Sequence, residues 1–362
     1  MSAQLESATA DPTRTKPNAN WSWSRRSTLL ALALISAVSV VVVIGLGPVG
    51  VAPSTVLRII GHHTIGVPGV ENWARTDDAI IWEVRLPRVL LGAIVGSTLG
   101  VVGVTLQALV RNPLAEPYIL GVSSGASTGA AAAILFGVGS GLGPESVSIM
   151  AFLGALGALA LVLALARSTG RITPSRMIVA GVAVGYLLSA TTSMLILFAD
   201  SSEGARAVMF WLLGSLANAD WSTLPLGYLS MGAGMVVVFW WRRRLDLLAL
   251  GDEIAMASGV DPGRTRLVLV VVVALCVGFA VSLSGGIGFV GLAAPHIARR
   301  ITGPIHRHLL PASAALGALV LVWADVAARM ALQPRELPIG VVTGVLGAPV
   351  LVALVRKLPH NT

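Results

Sequence analysis

Residues 242–266 read RRRLDLLALGDEIAMASGVDPGRTR and lie between apolar runs at 221–241 and 267–298. Nine of these 25 residues are charged, against 12% for the whole chain, so the segment stands outside lipid. It is too long for a tight turn and too short for a domain, and Gly259 and Pro262 divide it into helix-sized pieces. A structured polar island between two membrane-length apolar runs sets the fold class: an all-α, polytopic membrane protein. Such an island on the water side usually meets another protein.

Composition agrees. A chain of 362 residues that is 55% hydrophobic, with 40 glycines and a mean hydropathy of +0.83, is not an ordinary soluble domain. The single cysteine, Cys276, sits in an apolar run, reads as a small buried hydrophobe and excludes an intrachain disulfide. Residues 1–26 are polar, contain Pro12 and Pro17, and end in Arg25-Arg26, which predicts a disordered cytoplasmic tail. Ser24-Arg25-Arg26 loosely resembles a twin-arginine export signal, but the apolar run after it is too long for a signal peptide.

Runs free of Asp, Glu, Lys and Arg fall at 27–57, 89–110, 117–144, 146–166, 177–199, 207–219, 221–241, 267–298, 308–324 and 337–355. A crossing helix needs about 20 residues to pass roughly 30 Å of hydrocarbon. The run 207–219 is too short to cross, whereas 267–298 is too long for one helix and is broken at Ser284-Gly285-Gly286. Loop charge resolves both, because short cytoplasmic loops collect Lys and Arg. Keeping 207–219 outside as a surface or re-entrant segment and splitting 267–298 into a full helix and a short crossing near 287–302 gives ten transmembrane helices over 27–357. Both termini, with the C-terminal tail 358–362, are then cytoplasmic. That arrangement puts 18 of the 25 basic residues inside, so the pI near 10.9 reports topology and not nucleic-acid binding. Glycines at 92, 96 and 100, and at 121, 125 and 129, form rows along which helices approach closely.

Little in the chain supports chemistry of its own. Gradient-driven transporters place carboxylates or histidines inside their spans, and here only Asp325 lies well within a predicted helix, with Arg329 one turn later to pair with it. Gly121-Val-Ser123-Ser-Gly125 fits the hydrolase pattern G-x-S-x-G, but it follows a proline-rich loop and no strand. No metal-binding or catalytic pattern emerges, and His306-Arg-His308 has the wrong spacing for one helical face. The only lysines, Lys16 and Lys357, sit in no P-loop, so any nucleotide motor is another polypeptide.

Several segments are together recognisable: Arg85-Leu-Pro-Arg88; residues 107–117 followed by Gly121-Val-Ser-Ser-Gly125; residues 248–260; residues 284–296; Ala324-Asp325-Val-Ala-Ala-Arg329; and Glu336-Leu-Pro-Ile-Gly340. In order and spacing, from about Arg85 to Lys357, the chain resembles the FecCD/BtuC-type permease subunits of type II ABC importers, which carry ferric siderophores, haem and vitamin B12. The resemblance implies ten helices, a second permease subunit, identical or paralogous, two ATP-binding cassette subunits that hold ATP and magnesium, and an extracytoplasmic substrate-binding protein. It implies no cofactor in this chain and a place in a bacterial cytoplasmic membrane.

Within the resemblance, the loop 244–266 provides the coupling helices that dock on the ATPase. The residues so assigned are Leu248, Leu250, Gly251, Asp252, Glu253, Ile254, Ala257, Gly259 and Val260. Arg85, Arg88 and Arg329 match the arginines that pair with glutamates of the binding protein. The cytoplasmic gate matches the stretch at 171–176, with Thr173 and Ser175, although Pro174 replaces the small hydroxyl residue expected there. Gly181, Gly185, Ser189 and Thr192 of the fifth span are candidates for a weakly polar path wall. Ferric siderophore is the expected cargo, as the commonest of the class, with cobalamin or haem as the alternative. A gradient-driven transporter or an intramembrane hydrolase using Ser123 are the rival classes.

Overall fold

The computed structural model describes residues 25–167 and 173–355. The described chain forms α1 (Arg25–Gly45), α2 (Pro53–Ile65), α3 (Arg75–Asp78), a π-helical segment (Ala79–Arg85) running directly into α4 (Leu86–Val110), α5 (Val122–Phe136), α6 (Ser146–Arg167) and α7 (Pro174–Leu197). It continues through α8 (Ser202–Leu212), α9 (Leu224–Trp240), α10 (Arg242–Leu250), α11 (Asp252–Ala257), α12 (Pro262–Ser284), α13 (Val290–Thr302), α14 (His306–Met330) and α15 (Ile339–Val355). Six spans, within α1, α3–α4, α6, α7, α12 and α14, are long and apolar enough to cross a bilayer unaided. With α5, α9, α13 and α15 they make the ten crossings that charge patterning predicts. The split at 285–289 follows the Ser284-Gly285-Gly286 break, while α8 is too short to cross and the residues after it turn inward, with Leu216 buried and Gly214 packed on the Gly286 carbonyl.

Glycine sets the spacing of the bundle. A Cβ at Gly96 would collide with the Gly317 carbonyl, and one at Gly100 with the Ser313 carbonyl, so α4 and α14 touch backbone to backbone. Ser313 Oγ adds an interhelical hydrogen bond to the Gly100 carbonyl at 2.9 Å. Gly125 meets Gly154 and Gly129 meets Met150 in the same way, locking α5 onto α6. Both glycine rows are therefore packing seams.

Two features escape the sequence pattern. Polar residues disguise α2, an additional short helix between the first two crossings, whose His63 ring stacks on Trp82 at 4.2 Å. The loop after α4 also does not stay at the surface. Pro117 packs on Gly291, which also faces the Leu99 carbonyl midway along α4, so residues 112–121 fold back to mid-bundle depth. Non-helical backbone at that depth needs internal partners. Glu116 Oε1 accepts the Phe289 amide at 2.6 Å, and the Tyr118 hydroxyl accepts the Ile287 amide at 2.8 Å while donating to the Ile287 carbonyl at 2.6 Å. Asp325 is thus joined by a second carboxylate at membrane depth, one used to hold the short crossings α5 and α13 together.

Candidate functional site

The loops that charge patterning assigns to opposite faces form two separate polar clusters. At one end lies the island. Leu245, Leu248 and Ala255 are fully buried and join the main core with Leu109 of α4, Leu269 of α12 and Leu309 of α14. The outer side carries Leu250 (65% exposed), Ile254 (48%) and Met256 (47%), three large apolar side chains left uncovered on a segment that lipid excludes. Glu253 and Ala257 are exposed as well, whereas Val260 is half-buried against the core. Gly251 and Gly259 have φ of +124° and +78°, conformations that L residues resist, and they set the angle of α11 to its neighbours. Asp252 pairs with the buried Arg266, and Asp246 with His306. Burial works to raise the Asp246 carboxyl, but the His306 hydrogen bonds and charge hold it below the usual range.

At the opposite end the three arginines come together, all buried. Arg85 (5% exposed) donates to the carbonyls of Ile44, Gly45 and Val49 at 3.1, 3.2 and 2.6 Å, capping the end of α1. Arg88 Nε donates to Asp325 at 2.9 Å, and its two terminal nitrogens grip Glu336 at 3.2 and 2.9 Å. Arg329 Nε lies 3.0 Å from Asp325 Oδ2, as its i,i+4 spacing predicts, in an ion pair outside hydrogen-bond geometry. Its Nη2 is buried without an acceptor among the described residues. Arg88 and Arg329 share the carboxylates of Asp325 and Glu336, whereas Arg85 is held by backbone carbonyls, since a buried guanidinium without partners would be costly. The sequence signals Asp325–Arg329 through spacing, but not Glu336 or the carbonyls at and just past the end of α1, which only the tertiary fold brings near.

A cavity of about 770 Å³ opens beside this cluster, lined by Trp211, Ser215, Asp220, Ser282, Ser284 and Glu336 among others. The path-wall candidates lie elsewhere. Gly181 packs against the Ile119 carbonyl and Gly185 faces Gly121. The Ser189 and Thr192 hydroxyls meet Ser124 and Thr128 at 3.2 and 2.9 Å. These contacts are made between α7 and α5 with the turn before it, where small and hydroxyl residues serve close approach, and Ser189 is also exposed on α7. The open face of α7 shows Val182, Tyr186, Leu187 and Met194. Thr173 caps α7, its Oγ1 accepting the Arg176 amide at 3.5 Å, with Ser175 exposed beside it and Pro174 at the first helical position. Arg171 and Ile172 lie outside the described residues. Ser123 sits in the first turn of α5, where its carbonyl accepts the Ser127 hydroxyl.

The pattern of the FecCD transport family matches residues 26–357. The chain belongs to that family. This FecCD-family chain is 43% identical over 289 residues to the vitamin B12 import system permease BtuC of Vibrio cholerae, covering 79% of this chain and 85% of that one. It is 38% identical over 304 residues to the cobalamin import system permease BtuC of Halobacterium salinarum, covering 84% and 79%. Among solved structures, an inward-facing metal-chelate type ABC transporter superposes with a TM-score of 0.80 and 31% identity over 92% of this chain and all of that one. The protein is therefore a membrane permease of an ABC importer, working with a partner permease, a separate ATPase subunit and a binding protein. These findings set aside the gradient-driven and hydrolase alternatives. The ferric siderophore expected as cargo has less support than cobalamin, because the relatives above import vitamin B12.

Proposed function

We propose that the chain is the permease of a cobalamin importer. The observation that carries this is the similarity to vitamin B12 permeases over most of both chains. A second reading, import of a ferric siderophore or another metal chelate, is favoured by the metal-chelate type of the solved neighbour. The protein resides in a cytoplasmic membrane with both termini inside, a placement supported by the basic residues gathered at the island end. ATP draws two cassette subunits together, the island passes that movement to the spans, and the complex exposes its path to one side and then the other.

The assignment of Leu250, Ile254 and Met256 as the ATPase contact is supported by their exposure on a water-side helix pair. The open faces of α7 and α15, with Tyr186 and Val345 largely exposed, suit a second permease copy and the path between the two. The binding protein docks at the arginine end. There Arg85 and Arg88 brace the surface through their own carbonyl and carboxylate partners, and Arg329 supports it from a buried position beside Asp325.

Deletion of the gene in its host, followed by uptake of radiolabelled cobalamin, haem and ferric siderophores, separates the cargoes. Loss of cobalamin uptake alone is expected. Loss confined to a ferric siderophore would replace the first reading with the second.

A further inference from the structure

Arg266 lies near the start of α12 at the polar end of the protein, where an arginine ordinarily extends into water, yet it is 1% exposed. Its donors are all directed at the chain. Nη1 and Nη2 reach the two oxygens of Asp252 at 2.7 and 2.6 Å, and Nε reaches the Leu109 carbonyl at 3.3 Å. One side chain of α12 thereby joins the first residue of α11 to the last turn of α4. Arg111, just past α4, brings a second cation to Asp252 at 3.5 Å. A second tie lies on α10, where Asp246 Oδ1 accepts the His306 amide at 3.0 Å and meets its ring Nδ1 at 2.6 Å. His306 is the first residue of α14 and is 4% exposed.

Both ties end on helices that are themselves locked at Gly96–Gly317 and Gly100–Ser313. The covalent route from α9 is different, since α9 and α10 meet at a 57° bend at Trp241. A fork of two short hydrogen bonds fixes direction as well as distance, which a bend in the chain does not.

We propose that Asp252–Arg266, seconded by Asp246–His306, is the clasp that passes movement between the ATPase-facing island and the α4–α12–α14 core. Arg266 is a positioning residue and touches neither cargo nor nucleotide. The proposal rests on the reading of the island as the ATPase contact and goes beyond it by naming the helices that carry the movement.

The test uses the complete complex in liposomes, with ATPase and binding protein, and measures how far saturating binding protein stimulates ATP hydrolysis. Arg266→Lys keeps the charge without the fork, and Asp246→Asn breaks the second tie; neither residue is among those assigned to the ATPase contact. Each is expected to retain the wild-type ratio of ATPase to permease and its basal hydrolysis, while stimulation falls about fivefold or more. Full stimulation in both variants overturns the proposal, and so does loss of the ATPase from the complex, which would make these residues mere shapers of the contact surface. If Arg266→Lys does not fold, Asp246→Asn gives the same readout from the second tie. Ile254→Asp separates the two readings. If that variant still binds the ATPase, the island reading fails; if it does not, while Arg266→Lys and Asp246→Asn keep full stimulation, only the clasp fails.

Discussion

Ile254→Asp is expected to strip the ATPase from the complex and abolish uptake, while the permease itself stays folded. Ile254 is half-exposed, and the adjacent Ala255 is fully buried, so the inner face of α11 and not Ile254 fixes the helix in place. Like Leu250 and Met256, it is a large apolar side chain that water covers in the isolated chain. Burying an aspartate at the centre of such a contact costs about 2–4 kcal/mol, or roughly thirty- to a thousandfold in affinity. Co-purification through a tag on the permease measures the first effect, and uptake into vesicles the second. An Ile254→Asp complex with its full complement of ATPase would remove the island from the coupling path.

Gly96→Val is expected to prevent folding altogether. A Cβ at residue 96 would run into the Gly317 carbonyl, and backbone in a packed seam has no rotamer by which to yield. Separating α4 from α14 also breaks the approach of Gly100 to Ser313 one turn on. A cost above about 4 kcal/mol is a large part of the stability of an ordinary domain. Size-exclusion chromatography in detergent should give no monodisperse permease. Gly157→Ala makes the control, because a Cβ at Gly157 meets nothing and that helix position gains propensity. Monodisperse Gly96→Val protein would show that the seam is looser than its geometry requires.

What the sequence makes legible follows the range of the forces involved. Crossing count, the break after Ser284 and the Asp325–Arg329 pair depend on hydropathy and near-neighbour spacing, and each is found in the structure. The return of residues 112–121 to mid-bundle depth depends instead on Glu116 and Tyr118 finding Phe289 and Ile287, more than 160 residues away. The arginines show the same limit. Their gathering at one end is foreseen, but the carbonyls that receive Arg85 come from the end of α1 and the turn beyond it. In the fifth span, Ser189 and Thr192 read as a weakly polar wall in sequence, and their hydroxyls also bond Ser124 and Thr128 of α5, a cross-helix contact that no local pattern signals, with Ser189 still exposed. Arg266 carries no local sign of burial, because its partners Asp252 and Leu109 belong to other helices.

The central claim is that this permease passes cobalamin under the power of a separate ATPase. Its most direct test is accumulation of radiolabelled cobalamin in proteoliposomes containing the permease, its ATPase and its binding protein. Accumulation that requires ATP and binding protein together, and that excess ferric siderophore does not compete away, is the predicted result. ATP-driven accumulation of a ferric siderophore with none of cobalamin, from the same vesicles, would contradict it.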